Sequence, residues 1–184
     1  LDQEAFINQV NTIGLAVIGQ SEGLAPADKK LYALRDVTGT VDSIPLIASS
    51  VMSKKLASGA QAILLDVKVG SGAFMKTLDD ARALAKAMVD IGKKNGRSVK
   101  AVLTDMDRPL GYAIGNALEI REVIDTLKGH GPQDLTHECV IMAAHMLVLS
   151  HICDYETALS RVQEALNSGA ALDRLRMMID AQGG

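Results

Sequence analysis

A serine and a lysine lie four residues apart in the stretch "IASSVMSKK", which covers residues 47–55. The surrounding sequence predicts a helix that ends near Ser58, so at about 100° per residue Ser50 and Lys54 project from one face. A hydroxyl and an ammonium there can bind a polar ligand, but an unpaired buried ammonium is costly and needs a partner. The alternative is that both lie near the helix end and reach water. Lys55 lies on a different face and has no assigned role.

Two short loop motifs also suggest ligand binding. "GSG", residues 70–72, follows a predicted strand and precedes a predicted helix, where backbone amides can attract anions. It lacks the complete G-x-G-x-x-G pattern and the lysine of a phosphate-binding loop, so a tight turn is favoured. "DMD", from Asp105 to Asp107, follows a second strand, and carboxylates at this position more often serve as turn and cap residues.

All four histidines fall in the last third of the chain, close to Cys139 and Cys153. A structural zinc site requires four converging ligands. The spacing matches no zinc-finger pattern, and on one helix His137 and His145 can share a face while Cys139 points elsewhere. We therefore expect buried or edge histidines and core cysteines, not a metal site.

The elements that must position these residues indicate an α/β fold. "AILLDVKV" and "VKAVLTDM" are apolar enough to form buried strands, and "GLAVIGQ" is a further candidate strand near residues 14–18. Amphipathic segments alternate with the two clear strands, and Thr77 with Asp80 predicts a capped start for the helix between them. Strand–helix–strand order favours right-handed crossovers, so we expect a parallel sheet flanked by helices.

Composition narrows the class of protein. Hydrophobic residues make up 48% of the 184 residues and aromatic residues only 3%, which favours helices packed on a sheet over an all-β sandwich. The net charge of −3 provides no basic surface for nucleic acid. The longest apolar run, near residues 140–149, is too short to span a bilayer. Two cysteines fit a reduced, cytoplasmic compartment, and we expect no nucleic-acid or membrane partner.

Four longer motifs resemble the pyrimidine-nucleoside phosphorylases of the thymidine phosphorylase family: "LYALRDVTGTVDSIPLIASSVMSKK", "LDVKVGSGAFMKT", "LTDMDRPLGYAIGNALEIREVI" and "GHGPQDL". The resemblance implies reversible phosphorolysis of uridine, thymidine and deoxyuridine to the free base and (deoxy)ribose 1-phosphate. It also implies a homodimer whose subunits close a small helical domain on a larger α/β domain. The chain resembles the central part of the family. The family's N-terminal helices, glycine-rich phosphate-binding segments and C-terminal region have no counterpart, so we expect the isolated chain to be inactive.

The resemblance also implies which residues bind the base. In the family an Arg, a Ser and a Lys hold the pyrimidine, and by position these match Arg35, Ser50 and Lys54. Arginine and lysine only donate hydrogen bonds, so they suit the two carbonyl oxygens of uracil, and serine can accept from the ring N3–H. Which cation takes which oxygen stays open. Arg35 and Lys54 are also the expected catalytic residues, and Tyr32 and Phe74 match positions that line the pocket.

Phosphate is the implied co-substrate, and the Bacillus-type members of the family also bind a potassium ion. The matching ligands are the backbone oxygens of Leu110 and Ala113 and the carboxylate of Glu122, with further ligands in segments that have no counterpart here. Backbone carbonyls with one carboxylate suit a hard cation. The resemblance implies no organic cofactor.

By this resemblance the chain divides into three parts. Residues 1–25 belong to the α/β domain, residues 26–58 are base-binding helices of or next to the small α domain, and residues 59–184 continue the α/β domain and end in helices. Two other interpretations remain open. One is an anthranilate phosphoribosyltransferase-like transferase, which shares the architecture but does not require the Arg, Ser and Lys. The other is an inactive α/β binding module.

Overall fold

A computed structural model describes residues 2–19 and 23–184. These residues form eight helices and two strands, in the order α1 (Gln3–Ile13), α2 (Pro26–Thr38), α3 (Ile44–Ala57), β1 (Ala62–Val69), α4 (Leu78–Lys94), β2 (Ser98–Asp105), α5 (Asn116–Leu127), α6 (Gln133–Leu149), α7 (Tyr155–Asn167) and α8 (Ala170–Ala181). No helix among the described residues is both long enough and apolar enough to cross a membrane.

The chain divides into two compact units. The helical unit comprises Leu1–Gln20, Gly111–Val140 and Leu159–Gly184, and in it α8 packs against α1 and α5. The sheet unit comprises Ser21–Leu110 and Ile141–Ala158, and it contains both strands. These two units do not test the three-part division into domains that the sequence suggests, which stays a prediction. Residues 20–22 of that division lie outside the described part of the chain.

The sheet unit is built on a β1–α4–β2 crossover. The two strands pair in parallel, from Ala62 opposite Ser98 to Val69 opposite Asp105. Alternate residues of β1 are buried in a core that they share with residues of α3 and α4, whereas Asp66 on the other face is exposed, so only one face of this strand is covered. The core is aliphatic and Met-rich, as the composition predicts, and contains Ala48, Met52, Ile63, Leu65, Val67, Met75, Ala81, Leu84, Ala85, Met88 and Val99. The predicted parallel sheet flanked by helices is therefore confirmed.

Helix α4 begins where the sequence predicts. Thr77 is the N-cap residue, its hydroxyl oxygen accepts from the Asp80 backbone N–H at 3.2 Å, and the two side chains are 2.7 Å apart. The Thr77 side chain thus satisfies one of the amides that the first helical turn leaves without partners, and its hydroxyl donates to the Asp80 carboxylate. Ser43 occupies the corresponding position before α3, but its side chain makes no capping hydrogen bond.

The predicted strand near residues 14–18 is wrong. The described part of this segment is not in a strand, and Val17 is held instead by the side chain of Gln182. The Gln182 amide accepts from the Val17 N–H at 3.2 Å and donates to the Val17 carbonyl at 2.9 Å. An apolar run becomes a strand only when another strand offers it a ladder, and none of the described chain does so here.

Candidate active site

Helices α2 and α3 bring five polar or aromatic side chains together in the sheet unit. Asp28, Tyr32 and Arg35 are spaced i, i+4, i+7 and so share one face of α2. Ser50 and Lys54, spaced i, i+4, share one face of α3. The two helices pack against each other, and a contact of 3.0 Å between Lys54 Nζ and Ser50 Oγ confirms the sequence prediction that these two residues share a helical face. We call these five residues the α2–α3 cluster.

The ammonium of Lys54 is the centre of the α2–α3 cluster. Its Nζ lies 2.6 Å from Asp28 Oδ2 and donates to Ser50 Oγ at 3.0 Å. The Asp28 side chain is 10% exposed and that of Lys54 28%, and Ser50 is buried. The partner that Lys54 requires on this apolar helix is therefore the carboxylate of Asp28 on the neighbouring helix α2. Because Lys54 is partly exposed, the pair is worth less than a fully buried one.

Asp28 is ionised in this setting. Burial by itself raises the pKa of a carboxyl, but the hydrogen bond from Lys54, the nearby Ser50 hydroxyl and the charges of Lys54 and Arg35 outweigh burial. Together they hold the pKa of Asp28 below its usual range. Asp28 also lies in the first turn of α2, where the helix dipole favours negative charge.

Arg35 is almost fully buried, at 6% exposure. Its guanidinium donates to the backbone carbonyls of Val41 and, at 3.5 Å, Leu46, and so ties α2 to the start of α3. The Tyr32 ring lies beside it, with 5.1 Å from Arg35 Cζ to the ring centroid, and Lys54 Nζ lies 6.0 Å from the same centroid. Both cations are within the range of attraction to an aromatic face. Arg35 Nε is buried and has no hydrogen-bond partner among the described residues.

Phe74, the other aromatic residue expected at the pocket, lies elsewhere in the sheet unit. It is 61% exposed and lines a cleft of about 580 Å³ beside β1. Lys55 and Val51 of α3 also line this cleft, whereas Arg35, Ser50 and Lys54 do not. Tyr32 therefore lies beside the base-binding candidates, whereas Phe74 lies on a different surface of the sheet unit.

The "GSG" segment is the tight turn that the sequence favours. The Ser71 N–H donates to Asp107 Oδ1 at 2.7 Å and the Gly72 N–H donates to the Met106 carbonyl at 2.8 Å, so neither amide is free for an anion. A Cβ on Gly70 would lie 2.7 Å from the Asp107 backbone nitrogen, which explains the glycine. The Asp107 N–H in turn donates to Asp105 Oδ1 at 3.0 Å. Both aspartates are thus turn residues, as predicted.

The residues expected to bind potassium fall in different units. Leu110 belongs to the sheet unit, and Ala113 and Glu122 to the helical unit. Glu122 Oε1 accepts from the N–H groups of Tyr112 and Ala113 at 2.9 and 3.0 Å, so this carboxylate shapes the loop before α5. Its Oε2 lies close to Gly111, where a Cβ would come within 2.3 Å of it, and a carboxylate oxygen is a ligand that suits a hard cation.

The positions of the histidines and cysteines bear on the metal question that the sequence raises. The described residues contain no group of three or more His, Cys, Asp or Glu side chains that could hold a metal ion. Cys139 is exposed and Cys153 half-buried, so the expectation of core cysteines is wrong, because α6 presents Cys139 on its outer face.

His145 makes a specific contact within the sheet unit. Lys100 Nζ lies 3.0 Å from His145 Nδ1, and the imidazole stacks against Tyr155 at 4.9 Å between ring centroids. A lysine ammonium only donates, so Nδ1 accepts and the imidazole is neutral. Burial first, and then the Lys100 charge, lower the pKa of His145 below its usual range.

Sequence reasoning missed Asp28. An acidic residue in the first turn of a helix is ordinarily explained by the helix dipole alone. The signal that could have found it is the i, i+4, i+7 spacing with Tyr32 and Arg35, which places the carboxylate on the face that carries the base-binding candidates.

The crossover fold and the cationic α2–α3 cluster define an α/β domain equipped to hold a polar, anionic or electron-rich ligand. A family model described as "Glycosyl transferase family, a/b domain" matches residues 1–172, and the chain belongs to this family. The chain is 60% identical over 185 aligned positions to pyrimidine-nucleoside phosphorylase from Staphylococcus aureus (strain USA300) and 57% identical to pyrimidine-nucleoside phosphorylase from Geobacillus stearothermophilus. These alignments cover 100% of this chain and 43% of each relative, so the chain spans less than half the length of the proteins it matches.

Proposed function

We propose that this chain is part of a pyrimidine-nucleoside phosphorylase and supplies the residues that bind the pyrimidine. The observation that carries the proposal is the α2–α3 cluster, in which two cations and a hydroxyl converge beside an aromatic ring. Relatives at 57% to 60% identity that carry this name support it. The reaction is reversible phosphorolysis of uridine, thymidine and deoxyuridine to the free base and (deoxy)ribose 1-phosphate.

The donors and acceptors of the α2–α3 cluster match the edge of uracil. The edge presents O2, N3–H and O4, that is acceptor, donor, acceptor. Two of the three N–H groups of Lys54 donate to Asp28 and Ser50, which leaves one for a carbonyl oxygen. The guanidinium of Arg35 has five N–H groups and gives two contacts to backbone carbonyls, so it also retains donors. Ser50 accepts from N3–H.

The same residues account for catalysis. When the bond from N1 to the sugar breaks, the base leaves with negative charge spread over its two oxygens. Fixed cations at those oxygens bind the departing base more tightly than the bound nucleoside, which lowers the barrier. Arg35 is fixed by its carbonyl contacts and Lys54 by Asp28, so little rearrangement is needed during the reaction. Tyr32 adds a flat face beside both cations.

The remaining assignments follow the family resemblance. Phosphate is the co-substrate, and Phe74 lines the pocket in the complete protein. A potassium ion, held by the carbonyl oxygens of Leu110 and Ala113 and by Glu122, would supply a fixed positive charge to the loop before α5. We also propose that the complete protein is a cytoplasmic homodimer with no nucleic-acid or membrane partner.

The test is an assay of the complete polypeptide that carries this chain. Purified protein is incubated with uridine and phosphate, and release of uracil is followed by absorbance, with phosphate omitted as the control. Phosphate-dependent release supports the proposal. Transfer between anthranilate and phosphoribosyl diphosphate would instead favour the phosphoribosyltransferase, and inactivity in both assays would favour a binding module.

A further inference from the structure

We propose that Asp28 is a positioning residue for the reaction: it holds the ammonium of Lys54 at the place where negative charge develops on the departing pyrimidine. This inference deepens the proposed function and rests on it. Asp28 acts through Lys54 and needs no contact of its own with the substrate. Its contribution to the rate therefore grows with the charge that the base carries as it leaves.

The first step is that Lys54 does not hold its own ammonium in place. Helix α3 fixes the backbone of Lys54, but the ammonium lies at the end of a flexible four-carbon stem. The Lys54 side chain is 28% exposed, so close packing does not immobilise its end. Ser50 Oγ, 3.0 Å from Nζ, is one anchor, and it belongs to the same helix. A second anchor is needed to fix where the ammonium lies.

The second step is that Asp28 supplies this anchor from the neighbouring helix. Its Oδ2 lies 2.6 Å from Lys54 Nζ, and this contact joins α2 to α3. Hydrogen bonds to ionised groups are roughly twice as strong as those between neutral groups. The Asp28 side chain is only 10% exposed, and its pKa lies below the usual range, so the carboxylate is ionised at neutral pH. The ammonium is therefore held between two helices.

The third step is the direction in which Asp28 draws the ammonium. Asp28, Tyr32 and Arg35 share one face of α2 because they are spaced i, i+4, i+7. Lys54 Nζ lies 6.0 Å from the centroid of the Tyr32 ring, and the same centroid lies 5.1 Å from Arg35 Cζ. Asp28 thus keeps the charge of Lys54 beside the aromatic ring and the guanidinium. Two N–H groups of Lys54 donate within the α2–α3 cluster, and the third remains for the base.

Two electrostatic effects of Asp28 oppose each other, and distance decides between them. The carboxylate itself repels an anionic base, whereas the ammonium that it holds attracts the base. A carbonyl oxygen on the third N–H of Lys54 lies nearer to Nζ than to Asp28, which occupies a different N–H of the same nitrogen. Coulombic energy falls with distance, so the attraction exceeds the repulsion. An ammonium held in advance also needs no reorganisation as the charge develops.

The consequence is a dependence on the charge of the leaving base. When the bond from the sugar C1′ to N1 breaks, its electron pair passes to the base and spreads over O2 and O4. Fluorine at C5 withdraws electrons and stabilises this anion, so 5-fluorouridine depends less than uridine on the ammonium that Asp28 holds. If Asp28 only supported the fold, its loss would slow both nucleosides by the same factor.

The experiment compares phosphorolysis of uridine and 5-fluorouridine by the complete polypeptide that carries this chain. Asp28→Asn keeps the size of the side chain and replaces the carboxylate with a neutral, weaker acceptor. We expect kcat/KM for uridine to fall by about tenfold to a hundredfold, and the ratio of kcat/KM for 5-fluorouridine to that for uridine to rise by about threefold or more. Exposed Asp36 lies on the same helix, and the matched control Asp36→Asn should leave both values unchanged.

A double-mutant cycle identifies Lys54 as the residue through which Asp28 acts. In a Lys54→Met background, Asp28→Asn should lower kcat/KM for uridine by less than about twofold, because the ammonium is already absent. This second measurement also serves if Asp28→Asn alone folds poorly, since the double variant leaves neither member of the ion pair without its partner.

Several results would overturn the inference. An unchanged ratio with slower turnover would mean that Asp28 only supports the fold, and faster cleavage of uridine would mean that repulsion by the carboxylate prevails. An undiminished effect of Asp28→Asn in the Lys54→Met background would mean that Asp28 acts through another residue. The ratio does not depend on the fraction of folded enzyme, because both nucleosides are measured on one preparation. Absence of phosphate-dependent uracil release by the unmodified protein would refute the proposed function itself, which is a distinguishable failure.

Discussion

Two adjacent lysines at the end of α3 offer a direct test of the site. Lys54 pairs with Asp28 and Ser50, whereas Lys55 lines the apolar cleft beside β1. Methionine in place of either lysine keeps an unbranched stem of similar length and removes only the charge and the donors. Lys54→Met and Lys55→Met are therefore matched changes one residue apart.

The structure sets the expected size of each effect. Removing Lys54 leaves Asp28, at 10% exposure, without its closest cation. Losing one partner of a buried pair costs about 3–5 kcal/mol, and the 28% exposure of Lys54 reduces this to about 1–2 kcal/mol. Lys55→Met should change the free energy of unfolding by less than about 0.5 kcal/mol. For catalysis, loss of a donor to the departing base predicts a fall in kcat/KM of about a hundredfold to a thousandfold for Lys54→Met and little change for Lys55→Met.

The assay pairs urea denaturation with uridine phosphorolysis, both on the complete polypeptide that carries this chain. Denaturation midpoints report the stability difference, and initial rates of uracil release report kcat/KM. Equal losses of activity in the two variants would refute the assignment of Lys54, because only one of them lies in the α2–α3 cluster. If Lys55→Met lowered the denaturation midpoint strongly while Lys54→Met left it unchanged, the ion-pair argument would be refuted as well.

Three further predictions follow from other parts of the molecule. The unmodified complete protein should cleave uridine with a kcat/KM at least about a hundredfold above that for cytidine, and comparable values would contradict the base-edge assignment. The isolated chain should show no phosphorolysis, and turnover within about a hundredfold of the complete protein would count against this. It should also self-associate, because apolar residues on α2 such as Leu34 and Val37 are exposed, and a monodisperse monomer by light scattering would contradict that expectation. Stability should decrease as pH falls below about 6.5, because the unfolded chain takes up a proton that folded His145 resists beside Lys100; urea midpoints at about pH 7.5 and about pH 5.5 should differ less in His145→Gln than in the unmodified protein.

The sequence predicted those elements whose signals are local. Both strands of the crossover are apolar runs between turn residues, and α4 carries its own capping pair in Thr77 and Asp80. These features depend on side chains a few residues apart, so they can be recognised without a partner. The segment near residues 14–18 has the same apolar character, yet a strand needs a neighbouring strand, and Gln182 satisfies Val17 instead. Whether an apolar segment forms a strand therefore depends on a second strand that can pair with it, and not on the segment alone.

The candidate site was predictable in part for the same reason. Ser50 and Lys54 could be placed on one helical face from their spacing alone. The carboxylate that pairs with Lys54 lies 26 positions earlier in the chain, and only the packing of α2 on α3 brings it within 2.6 Å. The contacts of Arg35 with backbone carbonyls could not be predicted either, because every residue type carries a backbone carbonyl.

Helix α3 links the site to the core. Ala48 and Met52 lie on one face of α3 and are buried in the core formed with β1 and α4. Ser50 and Lys54 lie about half a turn away from them, on the face that meets α2. The helix is therefore buried on both sides, which explains why its sequence is apolar nearly all round. Because close-packed cores resist displacement, the core holds α3 in place on one side, and on the other side Asp28 holds the ammonium of Lys54. That rigidity is what a site requires if it is to hold a departing base without first rearranging.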